Sequence, residues 1–474
     1  MRAIPLRLLV LAALGLMAGC ALRQNALRPP ELPAQARVDP GQFVVITVRN
    51  DMQPAAATPG STPRGYASVG VYGVSANTRA ITHSLERDYS LREVSAWPIE
   101  SLRVNCIVAR VPDLTPRAAL IARLQRDARV ESVQPLNQFA TQTGAGTSSG
   151  SGTSTGSDSP PPTADNHAYL PLQRNLKELG VLQAHMLSQG AAVRIAVIDT
   201  GVDYRHPDLR GRVIARLDFV GHDDSDFTAD RHGTQIAGVI AATADGGQGL
   251  LGIAPQSRLI ALKACWPLRE NPAEATCNSF TLAQALETAI TVHADVVNLS
   301  LAGPPDPLLA RLIDYGMRQG IIYVGAVAPA SSGLTHAFPI DVPGVLAVQS
   351  AEDAGAHSRH LLAPGNGILT LVPGGHYDFA SGSSLATAEV TGIVALLLGD
   401  GRRLPAPRVE QILTKSSRQF ATPKGVLTSV NACVAIADAL QRADCQAGST
   451  ARWPHDPSTR SAEHSPPVPG VHAR

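Results

Sequence analysis

Residues Phe379-Ala-Ser-Gly-Ser-Ser-Leu-Ala-Thr-Ala-Glu-Val-Thr-Gly-Ile-Val-Ala-Leu-Leu-Leu398 set the frame for the rest of the chain. Small residues and a glycine open the stretch, which permits a sharp backbone turn. Leu385, Ala386, Val390, Ile393, Val394 and Leu397 then recur at helical spacing, so the pattern predicts a buried helix with serines at its mouth. The first turn of a helix carries unpaired N–H groups and a partial positive charge. A serine there can attack through its hydroxyl while its amide holds the developing oxyanion. Ser383 and Ser384 also read as an N-cap pair with a purely structural role.

Two other stretches supply partners. Val193-Arg-Ile-Ala-Val-Ile-Asp-Thr-Gly201 is a short apolar strand stopped by an acid and a glycine, the pattern of a buried parallel strand delivering a carboxylate at its C-terminal end. Arg231-His-Gly-Thr-Gln-Ile-Ala-Gly-Val-Ile-Ala-Ala242 puts His232 at the start of a second helix rich in Gly and Ala. The blocks Asp199-Thr-Gly201, His232-Gly-Thr234 and Gly382-Ser-Ser-Leu-Ala386 resemble the three signatures of the subtilisin-like serine proteases, in that family's Asp, His, Ser order.

The resemblance implies an α/β fold with a mainly parallel sheet flanked by helices, and a serine endopeptidase working through an acyl-enzyme. In it Ser384 attacks the scissile carbonyl with its backbone amide in the oxyanion hole. His232 carries the proton, and Asp199 fixes the imidazole tautomer. Val297-Asn-Leu-Ser-Leu-Ala-Gly303 resembles the family segment that pairs with substrate backbone, so Ser300, Leu301 and Ala302 are expected to face a peptide docked as an added strand. His206, in Asp203-Tyr-Arg-His-Pro-Asp-Leu209, is expected to be a structural loop histidine.

Several positions depart from the family pattern. Ser383 stands where threonine is common, Leu385 for methionine, Ala388 for proline and Gln235 for a histidine. The oxyanion-hole asparagine has no counterpart: Ala302 to Asp341 contains no asparagine, and Pro329, which lacks a donor, stands about where it belongs. Losing one such donor lowers turnover by ~10²- to 10³-fold. An amide near Ala330, Ser331 or Ser332 could substitute, so the second donor stays open. A catalytically impaired subtilase-like peptide-binding protein is the alternative to an active enzyme.

The rest of the chain gives organisation and address. The 474 residues are 44% hydrophobic and 17% charged, and the net charge of +1 argues against a nucleic-acid partner. Met1 to Arg7 followed by an apolar run to Ala18 reads as an export signal, and Leu16-Met-Ala-Gly-Cys20 resembles a lipobox with Cys20 lipidated. Ala21 then resembles the choice for outer-membrane sorting, giving an exported lipoprotein, periplasmic or at the cell surface. Residues 1–20 are thus a signal and 21–40 a proline-rich tether.

Residues 41–139 read as β-α-β-β-α-β, a ferredoxin-like unit similar to the family's propeptide, a folding chaperone and intramolecular inhibitor. Residues 140–166 are a Gly/Ser/Pro-rich linker, with self-processing expected between Gln138 and His167. Residues 167–446 form the catalytic domain, where strands and helices alternate, and 447–474 a disordered tail. In an exported protein the close pairs Cys265/Cys277 and Cys433/Cys445 are the simplest of three disulfide pairings, and Cys106 is left as a buried thiol. No metal motif or cofactor is expected. Calcium, which family members commonly hold, has no matched ligand set.

Overall fold

The computed structural model describes residues 30, 32–33, 36–37, 39–51, 73–113, 115–142, 169–221, 223–244, 249–268, 274–334, 336–355, 358–422, 425–442 and 445. The expected signal with Cys20, the linker from 143 to 166 and the tail from 447 lie outside them.

The N-terminal unit runs β1 (Phe43–Arg49), α1 (Ala76–Tyr89), β2 (Arg92–Ile99), β3 (Val104–Arg110), α2 (Arg117–Leu124) and β4 (Ser132–Pro135). Its antiparallel sheet has the order β2-β3-β1-β4, the ferredoxin-like arrangement. Strand β1, Phe-Val-Val-Ile-Thr-Val-Arg, is a continuous apolar run because both faces are covered. Val44, Ile46 and Val48 pack with Leu85, Leu120 and Leu124 of the unit's own helices. Phe43 and Val45 face the other way, together with Trp97, Ile99 and Val104, into a core shared with the C-terminal unit.

A short strand, β5 (Gln138–Thr141), follows, although the linker was expected to begin at 140. The C-terminal unit then holds β6 (Arg194–Asp199), β7 (Val213–Asp218), α3 (Arg231–Ala241), β8 (Arg258–Lys263), β9 (Cys265–Pro267), β10 (Ala275–Asn278), α4 (Ser279–Thr291), β11 (Val296–Leu299), β12 (Leu301–Ala302), α5 (Pro307–Arg318), β13 (Ile322–Ala326), β14 (Leu346–Ser350), β15 (Leu361–Ala363), β16 (Ile368–Val372), β17 (His376–Ala380) and α6 (Ser383–Leu398). Seven strands form a parallel sheet in the order β15-β14-β13-β11-β6-β8-β7. Alternate residues of β6 serve opposite layers: Ile195 and Val197 meet α3 and α6, while Ala196 and Ile198 meet α4 and α5. Every residue of α6 is buried, which explains its apolar run.

The N-terminal sheet covers α4 and α5. Trp97 stands edge-on to Phe280 with centroids 4.6 Å apart, and the Gln134 side chain accepts from the Leu308 amide at 3.0 Å in the first turn of α5. Asn137 donates to Asp306, the residue that caps the same helix. The tether also proves to be fastened. Leu32 and Ala36 are buried in the shared core, Gln284 donates to the Pro30 carbonyl, and Arg37 donates to that of Val220, each at 3.0 Å. Proline-rich composition reports stiffness, and it does not report whether isolated apolar side chains find a surface to cover.

Candidate active site

Asp199 ends β6 near the middle of the parallel sheet and is 2% exposed. Its Oδ1 accepts from the Thr200 amide and from His232 Nδ1, each at 2.7 Å. This fixes the proton on Nδ1 and leaves the lone pair on Nε2. Buried Nε2 has no partner among the described residues. The approach depends on Gly233, where a Cβ would sit 2.0 Å from the Gly201 carbonyl oxygen, so only glycine lets α3 come this close to the end of β6.

A second acid and a lysine brace the two segments, and neither was singled out in the sequence. Lys263, in register with Asp199 across β6 and β8, buries its ammonium against the Thr200 carbonyl and the Asp230 carboxylate. Asp230 is the N-cap residue of α3, yet its side chain makes no capping bond because it is turned to the lysine. Burial pushes the Asp230 carboxyl up to about 6, against the pull of Lys263. One cation thereby ties the residue after Asp199 to the helix that carries His232. A lysine closing an apolar strand was the available signal.

Gly382, at φ +136°, is the N-cap of α6 and offers no side chain. Ser383 and Ser384 therefore lie inside the helix rather than forming an N-cap pair. Ser383 Oγ accepts from the Ser350 amide at 3.3 Å. Ser384 is fully buried; its hydroxyl donates to the Ser300 carbonyl at 3.1 Å, rather than to His232. Its amide donates to the Gln142 carbonyl at 3.2 Å.

That carbonyl belongs to a peptide already in the cleft. Strand β5 lies between β12 and β10, antiparallel to both, in the sheet β12-β5-β10-β9. Leu301 pairs with Thr141 and Ala302 with Ala140, and the Ser300 carbonyl accepts from the Gln142 amide at 3.2 Å. Phe139, 2% exposed, stands edge-on to Phe338 at 5.3 Å. On the far wall the disulfide Cys265–Cys277 joins register partners of β9 and β10. Cys433–Cys445 is the second disulfide, and Cys106 is a buried free thiol, which burial pushes up.

Pro329 caps a short 3-10 turn at Ala330–Ser332, and no second donor to the Gln142 carbonyl is present among the described residues. Gln235 is buried, and its carbonyl accepts from the Thr370 hydroxyl at 2.7 Å. His206 accepts from the Asp208 amide and reaches the His376 carbonyl, which are structural bonds. Glu389, fully buried in α6, accepts from Asn175 at 2.8 Å, and burial pushes its carboxyl well above the usual range. Among the described residues no cluster of three His, Cys, Asp or Glu side chains could hold a metal.

Residues 190–433, just over half of the chain, match the model of the subtilase family. Among curated relatives, thermitase from Thermoactinomyces vulgaris is 30% identical over 46% of this chain and 80% of its own length. A thermophilic serine proteinase from Bacillus sp. (strain AK1) is 34% identical over 44% of this chain, which spans 52% of that protein. Among solved structures, fervidolysin from Fervidobacterium pennivorans, a keratinolytic enzyme related to subtilisin, superposes with a TM-score of 0.59 at 20% identity, covering 83% of this chain and 60% of its own. With three signature blocks at the C-terminal side of a parallel sheet and a family match spanning all of them, the chain belongs to the subtilase family.

Proposed function

We propose that the protein is a serine endopeptidase with Asp199, His232 and Ser384 as its triad and the Ser384 amide as an oxyanion donor. The reading is carried by one observation: an extended peptide segment pairs with the cleft strands and ends with its carbonyl on the Ser384 amide. For the reaction the Ser384 hydroxyl must leave the Ser300 carbonyl and turn to Nε2, which is unpartnered among the described residues. His232 then takes the proton and later gives it to the leaving amine, while Asp199 stabilises the imidazolium. Ser300, Leu301 and Ala302 hold substrate backbone. Substrates are polypeptides.

The N-terminal unit, by the same proposal, is an intramolecular inhibitor that occupies the cleft until it is removed. Lipidation at Cys20 would anchor an exported enzyme at the outer membrane. Pro329 favours one competing reading, a catalytically impaired peptide binder, because it leaves the hole short of a donor. Labelling with a fluorophosphonate decides between them. Incorporation that disappears in Ser384→Ala supports the enzyme, and its absence once the cleft has been emptied supports the binder.

A further inference from the structure

We infer that Glu352, held by Arg174, is a positioning residue for Ser384: it fixes the loop on which the turn before the nucleophile hangs. The inference rests on the proteolytic reading and adds to it a part that lies outside the triad and the cleft.

The residues just before Ser384 have little of their own to hold them. Gly382 lies at φ +136° and caps α6 without a side chain. The loop between β15 and β16 keeps this turn in place. The Gly382 amide donates to the Gly365 carbonyl at 2.6 Å. The Ser381 hydroxyl donates to Asn366 Oδ1 at 2.8 Å and accepts from the Gly367 amide at 3.0 Å. Ser383 Oγ is tied to the Ser350 amide, at the end of β14.

One carboxylate fastens that loop. Glu352 Oε2 accepts from the Gly365 amide at 2.9 Å and from the Ser350 hydroxyl at 3.0 Å. Gly365 is packed tightly there, since a Cβ on it would sit 2.6 Å from that of Ser350 and 3.0 Å from the Gly382 carbonyl oxygen. Glu352 Oε1 accepts from Arg174 Nη2 at 3.1 Å, and the same nitrogen reaches the Asn366 carbonyl. Arg174 opens the short helix Arg174–Glu178 and turns Nη1 to Glu178 at 2.9 Å. A guanidinium is planar and always charged, so it holds its acceptors at a fixed separation, and bonds between ionised partners are the stronger kind. The path from Arg174 to the nucleophile's turn is thus a chain of hydrogen bonds through Glu352, Gly365 and Gly382.

Among the described residues, neither Arg174 nor Glu352 bonds to β5, β10 or β12, the strands of the cleft. Their loss therefore bears on where Ser384 sits, and substrate backbone keeps its partners. A catalytic group displaced by about 1 Å loses on the order of 10²-fold in rate. Part of that is expected here, because β15 and β16 still flank the loop.

The test compares the parent with Glu352→Ala, Glu352→Gln and Glu178→Gln, each made as the full chain and nicked between residues 143 and 166. Steady-state hydrolysis of a peptide and the rate of fluorophosphonate labelling are read at dilutions that empty the cleft. Glu352→Ala is expected to lower kcat and the labelling rate by about tenfold or more, with KM within about twofold. Glu352→Gln keeps an oxygen for the Gly365 amide and is expected to return to within about threefold of the parent. Glu178→Gln removes the other partner of Arg174 and should leave kcat within about twofold, although it costs stability in urea. If Glu352→Ala does not fold, Arg174→Gln carries the same test, with kcat lowered by about threefold or more. Glu352→Ala matching an active parent, a loss carried by KM, or an equal defect in Glu178→Gln overturns the positioning role and leaves the protease reading standing. A parent that neither labels nor turns over overturns both.

Discussion

Phe139→Ala isolates how firmly the N-terminal unit blocks the cleft. The ring is 2% exposed, stands against Phe338 and belongs to the core shared by the two units. Truncating a buried phenylalanine to alanine costs about 3–5 kcal/mol. Here the lower end applies, because the ring lies at a junction that water can fill once the units part. About 3 kcal/mol corresponds to roughly a hundredfold weaker hold. On the proposed activity, the assay is hydrolysis of a peptide substrate across a dilution series by protein nicked between residues 143 and 166, which reports the dissociation constant of the N-terminal unit. Phe338→Ala should act similarly, and the double variant should show a coupling of about 1 kcal/mol, the worth of an aromatic pair. A dissociation constant within threefold of the parent value would refute the reasoning, since it would mean that the strand is held by its backbone alone.

Asp199→Asn preserves shape but withdraws the acceptor that holds the His232 proton on Nδ1, and kcat should fall by about 10⁴; a loss under tenfold in a steady-state assay would contradict the tautomer argument. Lys263→Met strands the Asp230 carboxylate in the interior and should cost about 3–5 kcal/mol in urea unfolding, with part regained in Lys263→Met/Asp230→Asn; a cost under 1 kcal/mol would count against the brace. Glu389 carries a raised folded pKa, so the folded state retains a proton that the unfolded chain releases above its usual 4.5. Its effect is absent below that pH and erodes stability as pH rises towards the folded value. Glu389→Gln should therefore gain on the parent by up to about 1.4 kcal/mol per pH unit in urea titrations from pH 5 to 7, and parallel curves would exclude this.

The parts of the site that read directly from sequence are those whose chemistry is local. An apolar strand ending in an acid, and small residues opening a helix, announce themselves because backbone geometry demands those residue types. The whole of β1 is similarly legible as a run buried on both faces. What stayed hidden is what exists only through partners. Gln138-Phe-Ala-Thr-Gln142 carries no strong strand pattern and becomes a strand because β10 and β12 offer it two edges. Leu32 and Ala36 sit in a run whose composition says linker, and they are buried because a groove awaits them. Lys263 and Asp230 belong to no signature block, since their pairing across 33 residues arises only when the strand and helix meet.

The N-terminal sheet has no wet face while it sits on α4 and α5, and this bears on what happens when it leaves. Phe43, Val45, Trp97 and Ile99 would stand together in water, and so would the Phe280 side of the surface they had covered. A freed unit with such a patch is prone to clump or to be digested, and either fate removes it from the equilibrium. On the proposed inhibitor role, departure would be a fuse that burns once, switching each molecule on without a way back.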